Sequence, residues 1–375
     1  MVNYEDLGVK KIINAAGTYT KYSGSLMNPL VLEAMTEAAK DFVDIEELLE
    51  KSGKYIANLL DVEGALITSG AAAGLALATA ACIAGDDLGI RNSLPKTEGL
   101  ANEIIVMKSH RCPYDQAMIT VGAEFVEIGN AIDTHPWELE AAIGEKTAAV
   151  AYFVQSDMLE SSLPLDKVIE IIHAHNLPVL VDAAAELPPV ENLKKFTKMG
   201  ADIVVFSGGK DIRGPQSSGL MLGKKEIIDI SRFHGYPHHA IGRPMKLDKE
   251  TIIGLVTALE LYLKEDHQSK MEKWEQQIDT IVAGLKTISD LEVKKDYGVQ
   301  PITQPAITPR AYCTFSKKSG ITKEEVVEEL YQGEPAIAIM INKKSLVINS
   351  HMLQEGEEEI VIQRLREVLN KFGLK

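Results

Sequence analysis

The stretch IVVFSGGKDIRGPQSSGLMLG, Ile203 to Gly223, places one lysine between two short apolar runs. The run Ile203–Phe206 predicts a buried strand, and Gly219–Gly223 predicts a strand that returns after the loop. In open α/β sheets, ligands bind beyond the carboxyl ends of the strands, so Lys210 stands where a ligand would lie. A lysine desolvated there has a lowered pKa and can form a Schiff base, whereas an exposed loop lysine would only be solvated.

Short apolar runs alternate with helix-period segments over most of the chain before Leu247. The other predicted strands are Gly64–Thr68, Ile104–Met107, Glu124–Ile128, Ala148–Phe153 and Pro178–Asp182, and the predicted helices include Ala71–Ala84, Leu165–His175 and Leu193–Met199. Strands that are apolar throughout and separated by helices form parallel sheets with both faces covered. We therefore predict an α/β fold with a mostly parallel seven-stranded sheet flanked by helices.

The pattern changes after Leu247. A long helical segment is predicted from Lys249 to about Ile288, with an interruption near Asp266-His267. The segments that follow are the short strands Ala311–Phe315, Ala336–Ile341 and Ser345–Ile348 and a closing helix Glu357–Phe372. We predict an irregular N-terminal arm at residues 1–25, a large domain at 26–265, and a smaller C-terminal α+β domain at 266–375.

Composition limits the partners of the protein. The formal net charge of -15 argues against nucleic acid, because such binding depends on clustered lysine and arginine. No apolar run approaches the roughly 20 residues of a membrane span, and MVNYEDLGVKK lacks the apolar core of a signal peptide. Three scattered cysteines without zinc spacing fit a reducing compartment. We expect a cytoplasmic protein without nucleic-acid or membrane partners.

A local histidine cluster is the one candidate for a metal site. His234, His238 and His239 lie close together in the sequence, with Tyr236 between them. Pro237 and the lack of surrounding acidic residues disfavour metal binding. We therefore predict no metal and interpret this segment as a mobile loop near the active site.

Polar or small residues also follow three other predicted strands. Asp182 could cap a short helix, or it could face a pyridinium nitrogen and keep that ring protonated. Ser69-Gly70-Ala71 precedes an alanine-rich helix, whose N-terminus favours a phosphate, although small residues also serve helix–strand packing. His110 could stack on a planar cofactor or lie in the core.

Each of four predicted strands is followed by one of these features, in the order phosphate site, stacking ring, carboxylate and lysine. This order resembles that of the fold-type I enzymes that use pyridoxal 5′-phosphate (PLP). Two segments, FSGGKDIRGPQSSGLMLGKKEII (206–228) and RPMKLDKETIIGLVTALELYL (243–263), resemble the active-site region of bacterial selenocysteine synthases, the L-seryl-tRNA(Sec) selenium transferases. The segment INAAGT (13–18) resembles the INxTG segment of that family. The resemblance covers roughly residues 8 to 265 and is weaker beyond Leu291.

The start of this segment at Ile13 leads us to expect no tRNA-gripping N-terminal domain, in agreement with the negative charge. The chain therefore resembles the smaller, tRNA-free relatives of the family. Among these, the D-glucosaminate-6-phosphate ammonia-lyase type carries a VDAAAE segment and an SGxKxxxGP lysine loop, which are found here at 181–186 and 207–215.

The resemblance implies a role for each candidate residue. Lys210 would hold PLP and later remove the substrate's Cα proton, and Asp182 would hold the pyridine N–H. The remaining cofactor contacts would be Ser69, Gly70, Ala71 and Ser207 to the phosphate, His110 on the ring, and Gln155 or Ser156 at the 3′-oxygen. Arg310 would bind the substrate carboxylate, although it could instead be a surface arginine. The residues implied for other anionic groups of the substrate are Arg243, Arg213 and Arg111.

The implied reaction is α,β-elimination from a 3-hydroxy amino acid, giving a 2-keto-3-deoxy acid and ammonia. The expected substrate is anionic, D-glucosaminate 6-phosphate or a related amino-sugar acid, and the expected assembly is a homodimer or higher homo-oligomer. Racemisation of an amino acid and transfer of selenium or sulfur remain open as alternative PLP chemistries. A catalytically inactive PLP-binding protein is the non-enzymatic alternative, which retention of Lys210 and Asp182 disfavours.

Overall fold

The computed structural model describes residues 2–130, 132–154, 161–297, 305–316, 320–342 and 344–374. Contacts within the chain divide it into two compact units. The large unit is Met27–Glu265, and the small unit combines Met1–Leu26 with Asp266–Lys375. None of the helices in the described ranges is long and apolar enough to cross a membrane.

The strands are numbered in chain order: β1 Ile12–Asn14, β2 Gly64–Thr68, β3 Glu103–Met107, β4 Glu124–Ile128, β5 Thr147–Phe153, β6 Val179–Asp182, β7 Ile203–Ser207, β8 Gly219–Gly223, β9 Leu291–Asp296, β10 Arg310–Phe315, β11 Ala336–Ala338, β12 Met340–Ile341 and β13 Leu346–Asn349. The α-helices are α1 Pro29–Ala38, α2 Ile45–Leu60, α3 Ala71–Ala84, α4 Leu88–Ser93, α5 Gln116–Ile119, α6 Pro136–Ala142, α7 Leu165–His173, α8 Asn192–Met199, α9 Lys225–His234, α10 Lys249–Lys264, α11 His267–Leu285, α12 Lys323–Gln332 and α13 Glu357–Lys371. Short 3-10 helices cover Thr20–Tyr22, Lys108–His110, Pro113–Asp115 and Ser350–Met352.

The large unit is built on a seven-stranded sheet in the order β2-β8-β7-β6-β5-β3-β4. The pairings of β3, β4, β5, β6 and β7 are parallel, and β8 runs antiparallel to both of its neighbours. The prediction of a mostly parallel sheet is confirmed, including the strand that returns after the lysine loop. Parallel strands place their carboxyl ends at one edge of the sheet, where the candidate residues were predicted to meet.

Both faces of this sheet are covered, which explains why its strands are apolar throughout. Alternate residues of β3 and β5 enter different cores because side chains alternate across a strand. Ile105 and Val150 join the core formed with α2, α7 and α10, whereas Ile104 and Ala149 join the core formed with α3 and α9. The helices therefore fix the sheet from both sides and hold its carboxyl edge in place.

The small unit has its own core beneath a four-stranded antiparallel sheet in the order β12-β13-β10-β9. Apolar side chains of α11, α12 and α13 pack against this sheet, with Ile278, Val326 and Leu365 fully or almost fully buried. This is the α+β organisation predicted for the C-terminal part of the chain.

Two details of the N-terminal arm and of the long helical segment add to the sequence expectation; the first differs from it, and the second confirms the expected interruption near Asp266-His267. The N-terminal arm is not irregular throughout, because β1 pairs in parallel with β11, with Ile12 opposite Ala336. The long helical segment is two helices, and the side chain of Asp266 accepts a hydrogen bond from the Ser269 N–H at 3.0 Å to cap the second. The interruption in the periodicity is thus a helix start, since aspartate is favoured at an N-cap.

Candidate active site

The register of three adjacent strands brings two candidate loops to one edge of the sheet. Gly219, the first residue of β8, pairs with Thr68 on one side and with Ser207 on the other. Ser69 and Gly70 follow Thr68 directly, while the lysine loop follows Ser207. Neighbouring strands lie about 4.8 Å apart, so the two loops leave the sheet roughly 10 Å from each other.

The lysine loop is tied together by its own backbone. The N–H of Gly208 donates to the Ser218 carbonyl at 2.9 Å, and the N–H of Gly214 donates to the Gly208 carbonyl at 2.8 Å. A Cβ atom on Gly208 would lie 2.1 Å from the Ser218 Oγ, so this close approach requires glycine. The turn closes where Arg213 N–H donates to the Lys210 carbonyl at 2.9 Å, which fixes the backbone of the lysine.

The amine of Lys210 and the carboxyl group of Asp182 lie close enough to shift each other's pKa. Burial lowers the pKa of Lys210, and the charges of Asp182 and Glu186 oppose that shift. The residue as a whole is half-buried. A larger fraction of the amine is therefore neutral near pH 7 than in a solvated lysine, as a nucleophile or base requires.

Asp182 is the last residue of β6 and does not cap a helix. Its Oδ1 accepts a hydrogen bond from the Ala184 N–H at 2.9 Å, and the next helix, α8, begins only at Asn192. The helix-capping alternative is therefore wrong. Burial raises the pKa of Asp182, while the Ala184 N–H and the charge of Lys210 oppose the rise, and no described residue donates to its other carboxyl oxygen.

The segment Ser69-Gly70-Ala71 forms an open cradle at the start of α3. Gly70 is the N-cap with φ +105°, a conformation that side chains with a Cβ rarely adopt. Apart from its two chain neighbours, no described residue has an atom within 4 Å of the position that a Cβ would take there, and no described side chain caps the helix. The first N–H groups of α3 thus have no side-chain cap among the described residues, as an anion site at a helix N-terminus requires.

His110 is buried and held at both ring nitrogens. The Phe153 N–H donates to Nδ1 at 3.3 Å, so the proton of the neutral ring lies on Nε2, 2.8 Å from the Ser162 Oγ. Its ring also meets that of Tyr152 edge-on, with centroids 4.6 Å apart. Burial lowers the pKa of His110 to about 4, so the imidazole is neutral at physiological pH.

Arg111 takes part in a network of ion pairs, and its role toward a substrate remains a prediction. Its guanidinium forms ion pairs with Asp115 and Glu127 and lies 4.6 Å from the centroid of the Phe125 ring. Both carboxylates raise the pKa of Arg111. The sequence indicated that Arg111 follows the predicted strand that forms β3. It did not show that Asp115, Glu127 and Phe125 surround its guanidinium.

The other arginines of the large unit remain candidates for anion binding. Arg213 adopts φ +57°, and its buried Nε has no hydrogen-bond partner among the described residues. A left-handed conformation is uncommon for arginine, and such residues concentrate at functional sites. Arg243 is exposed, and its guanidinium lies 5.1 Å from the centroid of the Tyr236 ring.

Arg310 lies in the small unit as the first residue of β10 and is fully buried. Its Nη2 donates to the Pro305 carbonyl at 3.0 Å and to the Thr308 Oγ1 at 3.1 Å. Burial lowers the pKa of this guanidinium, and nearby Tyr312 and Tyr19 oppose the shift. The surface-arginine alternative is therefore wrong, although its role toward a substrate remains a prediction.

The residues predicted to reach the 3′-oxygen of the cofactor, Gln155 and Ser156, lie outside the described residues.

The histidine cluster is the segment predicted to be a loop rather than a metal site. In the histidine cluster, the buried His234 has its Nε2 2.9 Å from the Gly85 carbonyl, and His238 lies 3.7 Å from Glu46. Where the structure is described, no group of three or more His, Cys, Asp or Glu residues is arranged to hold a metal ion.

Glu186 is the residue of this edge that sequence reasoning did not select. Burial and the charge of Asp182 raise the pKa of Glu186 to about 7. The VDAAAE segment contained the signal, because it places a second acid four residues after Asp182. Only the fold shows that this acid shares the surroundings of Lys210.

Comparison with known proteins identifies relatives of this arrangement. The family model for SelA, L-seryl-tRNA selenium transferase, matches residues 12–286. The chain is 32% identical, over 97% of its length and 97% of the relative, to D-glucosaminate-6-phosphate ammonia lyase from Salmonella typhimurium (strain 14028s / SGSC 2262). It is 30% identical, over 99% of its length and 93% of the relative, to 5'-C-glycyluridine monooxygenase-decarboxylase from Streptomyces sp.

Solved structures share the fold. A structure of D-glucosaminate-6-phosphate ammonia-lyase matches with a TM-score of 0.84 and 30% identity, covering 100% of both chains. A serine palmitoyltransferase with PLP matches with a TM-score of 0.61 and 14% identity, covering 97% of this chain and 89% of the other.

The sheet, the lysine loop and the helix N-terminus together define the fold-type I class of PLP-dependent enzymes, as predicted. Within that class, the chain belongs to the SelA family, that of L-seryl-tRNA selenium transferase.

Proposed function

We propose that this protein is a PLP-dependent ammonia lyase that acts on an amino acid carrying a hydroxyl group at Cβ. The observation that carries the proposal is the half-buried pair of Lys210 and Asp182, which shift each other's pKa at the carboxyl edge of the sheet. The similarity to D-glucosaminate-6-phosphate ammonia lyase over nearly the whole chain supports D-glucosaminate 6-phosphate, or a related amino-sugar acid, as the substrate.

The residues of the large unit fit PLP. The space next to Gly70 is clear of described atoms where a Cβ would lie, and the first turn of α3, which no described side chain caps, offers N–H donors to a phosphate. Ser69, Ala71 and Ser207 would complete that phosphate site. The Asp182 oxygen to which no described residue donates would accept from the pyridine N–H, Lys210 would bind the cofactor aldehyde, and the neutral His110 would lie against the ring.

When bound, PLP withdraws electrons from the substrate's Cα and so makes its proton removable. Lys210, once displaced by the substrate amine, would act as the base that takes this proton. Its lowered pKa favours the neutral amine that a base must be. Asp182 would hold the ring nitrogen in place with one oxygen, because Ala184 already fixes the other.

An anionic substrate requires cations beyond the cofactor site. Arg310 would bind the substrate carboxylate through its planar guanidinium, and Arg213 or Arg243 would bind a phosphate. The buried Nε of Arg213, on the same loop as Lys210, supports Arg213 as the nearer candidate. We further propose a cytoplasmic homodimer or larger homo-oligomer.

The test is an assay of the PLP-loaded protein on D-glucosaminate 6-phosphate, D-glucosaminate and simpler 3-hydroxy amino acids. We expect equal amounts of ammonia and 2-keto acid, with the phosphorylated substrate preferred. Lys210→Ala should abolish both products, while Lys198→Ala, on the exposed face of α8, should leave them unchanged. Cα hydrogen exchange without ammonia would indicate a racemase, and oxygen-dependent loss of CO2 would indicate the chemistry named for the Streptomyces relative.

A further inference from the structure

Asn349 is a buried residue of the small unit, and the structure accounts for only one of the two polar atoms of its side chain. It is the last residue of β13 and is 1% exposed. Its Oδ1 accepts a hydrogen bond from the His351 N–H at 2.9 Å, which fixes the other polar atom of the amide as Nδ2. This Nδ2 is buried and has no hydrogen-bond partner among the described residues. An amide nitrogen carries two N–H donors, so Asn349 can still donate to a further group.

The structural role of Asn349 requires only its oxygen. The residue is the N-cap of the 3-10 helix Ser350–Met352, and a capping side chain contributes an acceptor. Aspartate and serine cap helices as well as asparagine does, without bringing an N–H group into the interior. Because a buried donor without a partner is costly, the amide indicates a second partner that accepts hydrogen bonds.

The register of the antiparallel sheet places Arg310 beside Asn349. The two residues lie directly opposite each other on β10 and β13, so their side chains leave the same face and their Cβ atoms are about 5 Å apart. The next pair, Ala311 and Ile348, belongs to the core formed with α11, α12 and α13. Because side chains alternate across a strand, Arg310 and Asn349 lie on the face of the sheet away from these helices.

The guanidinium of Arg310 is held in a fixed position on this face. The residue is fully buried, and its Nη2 donates to the Pro305 carbonyl at 3.0 Å and to the Thr308 Oγ1 at 3.1 Å. Thr308 is fixed in turn, since its Oγ1 donates to the Pro305 carbonyl at 2.9 Å. A positive charge and an amide donor therefore lie next to each other in a buried site, a combination that suits a carboxylate.

We propose that Asn349 binds the substrate carboxylate together with Arg310, an inference that rests on the proposed function. Arg310 supplies the positive charge, and the Nδ2–H of Asn349 donates to one carboxylate oxygen. The pair thus selects a 2-amino acid over the corresponding amino alcohol, which has no charge at this end of the molecule.

The first test uses Asn349→Ala, which removes the amide donor without adding a charge. On the PLP-loaded protein we would measure by calorimetry the binding of D-gluconate 6-phosphate and of D-glucitol 6-phosphate. Both compounds lack the amine of the expected substrate and cannot react, and only the first carries a carboxylate. The variant should lose about 10–100-fold in affinity for D-gluconate 6-phosphate and less than about threefold for D-glucitol 6-phosphate, because only the first loses a hydrogen bond to a charged group.

Asn349→Asp is the second variant, because it keeps the cap and places a carboxylate beside Arg310 where that of the ligand would lie. Its thermal unfolding should occur at or above the wild-type temperature, since the new carboxylate pairs with the guanidinium. Binding of D-gluconate 6-phosphate should fall by more than about 100-fold. Asn370→Asp is the matched control, because it adds the same charge at an exposed position of α13 and should bind both compounds as wild type does.

Unchanged affinity of Asn349→Ala for D-gluconate 6-phosphate would overturn the proposal, as would an equal loss for both compounds. Lower thermal stability of Asn349→Asp would overturn it too, because the two side chains would then not face each other. Wild-type protein that releases ammonia from a 3-hydroxy amino acid but binds D-gluconate 6-phosphate no more tightly than D-glucitol 6-phosphate would also refute it. Wild-type protein that shows the expected affinities but releases no ammonia from any of these substrates would instead refute the proposed function.

Discussion

The Nε2 atom of His110 lies 2.8 Å from the Oγ of Ser162, and this contact, together with the Phe153 N–H that donates to Nδ1, fixes the orientation and tautomer of the imidazole. Since the Phe153 N–H occupies Nδ1, Ser162 must accept the ring proton. Ser162→Ala should leave Nε2–H without this acceptor and destabilise the protein by about 1–3 kcal/mol. Urea unfolding of the cofactor-free protein measures this effect, and Ser217→Ala, exposed on the lysine loop, should cost nothing.

The burial of His110 also predicts the acid sensitivity of the fold. Its pKa is about 4 in the folded protein, below the ordinary 6.5, so between these values the unfolded chain binds a proton that the folded chain does not. Stability should therefore fall as pH decreases from 6.5 towards 4, by roughly 3 kcal/mol from this residue. In urea titrations across this range, His110→Gln should show a shallower pH dependence, and parallel curves would contradict the assignment.

The contribution of Glu186 to stability changes with pH in the opposite direction. Its folded pKa of about 7 exceeds the ordinary 4.5, so its contribution to stability is complete below pH 4.5 and is lost as pH rises through 7. Glu186→Gln should therefore be more stable than wild type at pH 8 and similar at pH 4.5. Thermal unfolding of both proteins across this range tests the sign, and a variant less stable than wild type at pH 8 would contradict it.

Lys210→Ala should remove the covalent attachment of PLP without removing the phosphate site. We expect no protein-bound pyridoxyl group after borohydride treatment, while PLP still binds more weakly to the cradle at Gly70. Mass spectrometry after reduction and a PLP titration provide the two measurements. Label that persists on another lysine would show that the lysine loop has been misassigned.

Gly70→Ala should weaken phosphate binding through backbone strain, because a Cβ there meets no neighbouring atom. The conformation at φ +105° and ψ 162° is essentially confined to glycine and costs other residues about 1–3 kcal/mol. We expect a comparable loss of PLP affinity, measured by equilibrium titration. Gly144→Ala is the control, since Gly144 is also in open space but has no positive φ.

The sequence predicted the sheet well because its strands are buried on both faces and are therefore apolar throughout. It also located Lys210 and Asp182, since parallel strands must end at a common edge. It could not show the pairing of β1 with β11, which depends on contacts between residues far apart in the chain. The ion pairs of Arg111 and the pKa of Glu186 were hidden for the same reason, because each depends on neighbours that the fold supplies.

The double pairing of Gly219 has a consequence for redesign of the protein. The strand that it begins is shared by the phosphate cradle on one side and the lysine loop on the other. An insertion between Ser207 and Gly219 that slipped this strand by one position would turn its side chains to the opposite face and disturb both halves together. Grafted loops from relatives should therefore keep their length, and new substrate preferences are better sought by changing side chains on a constant frame.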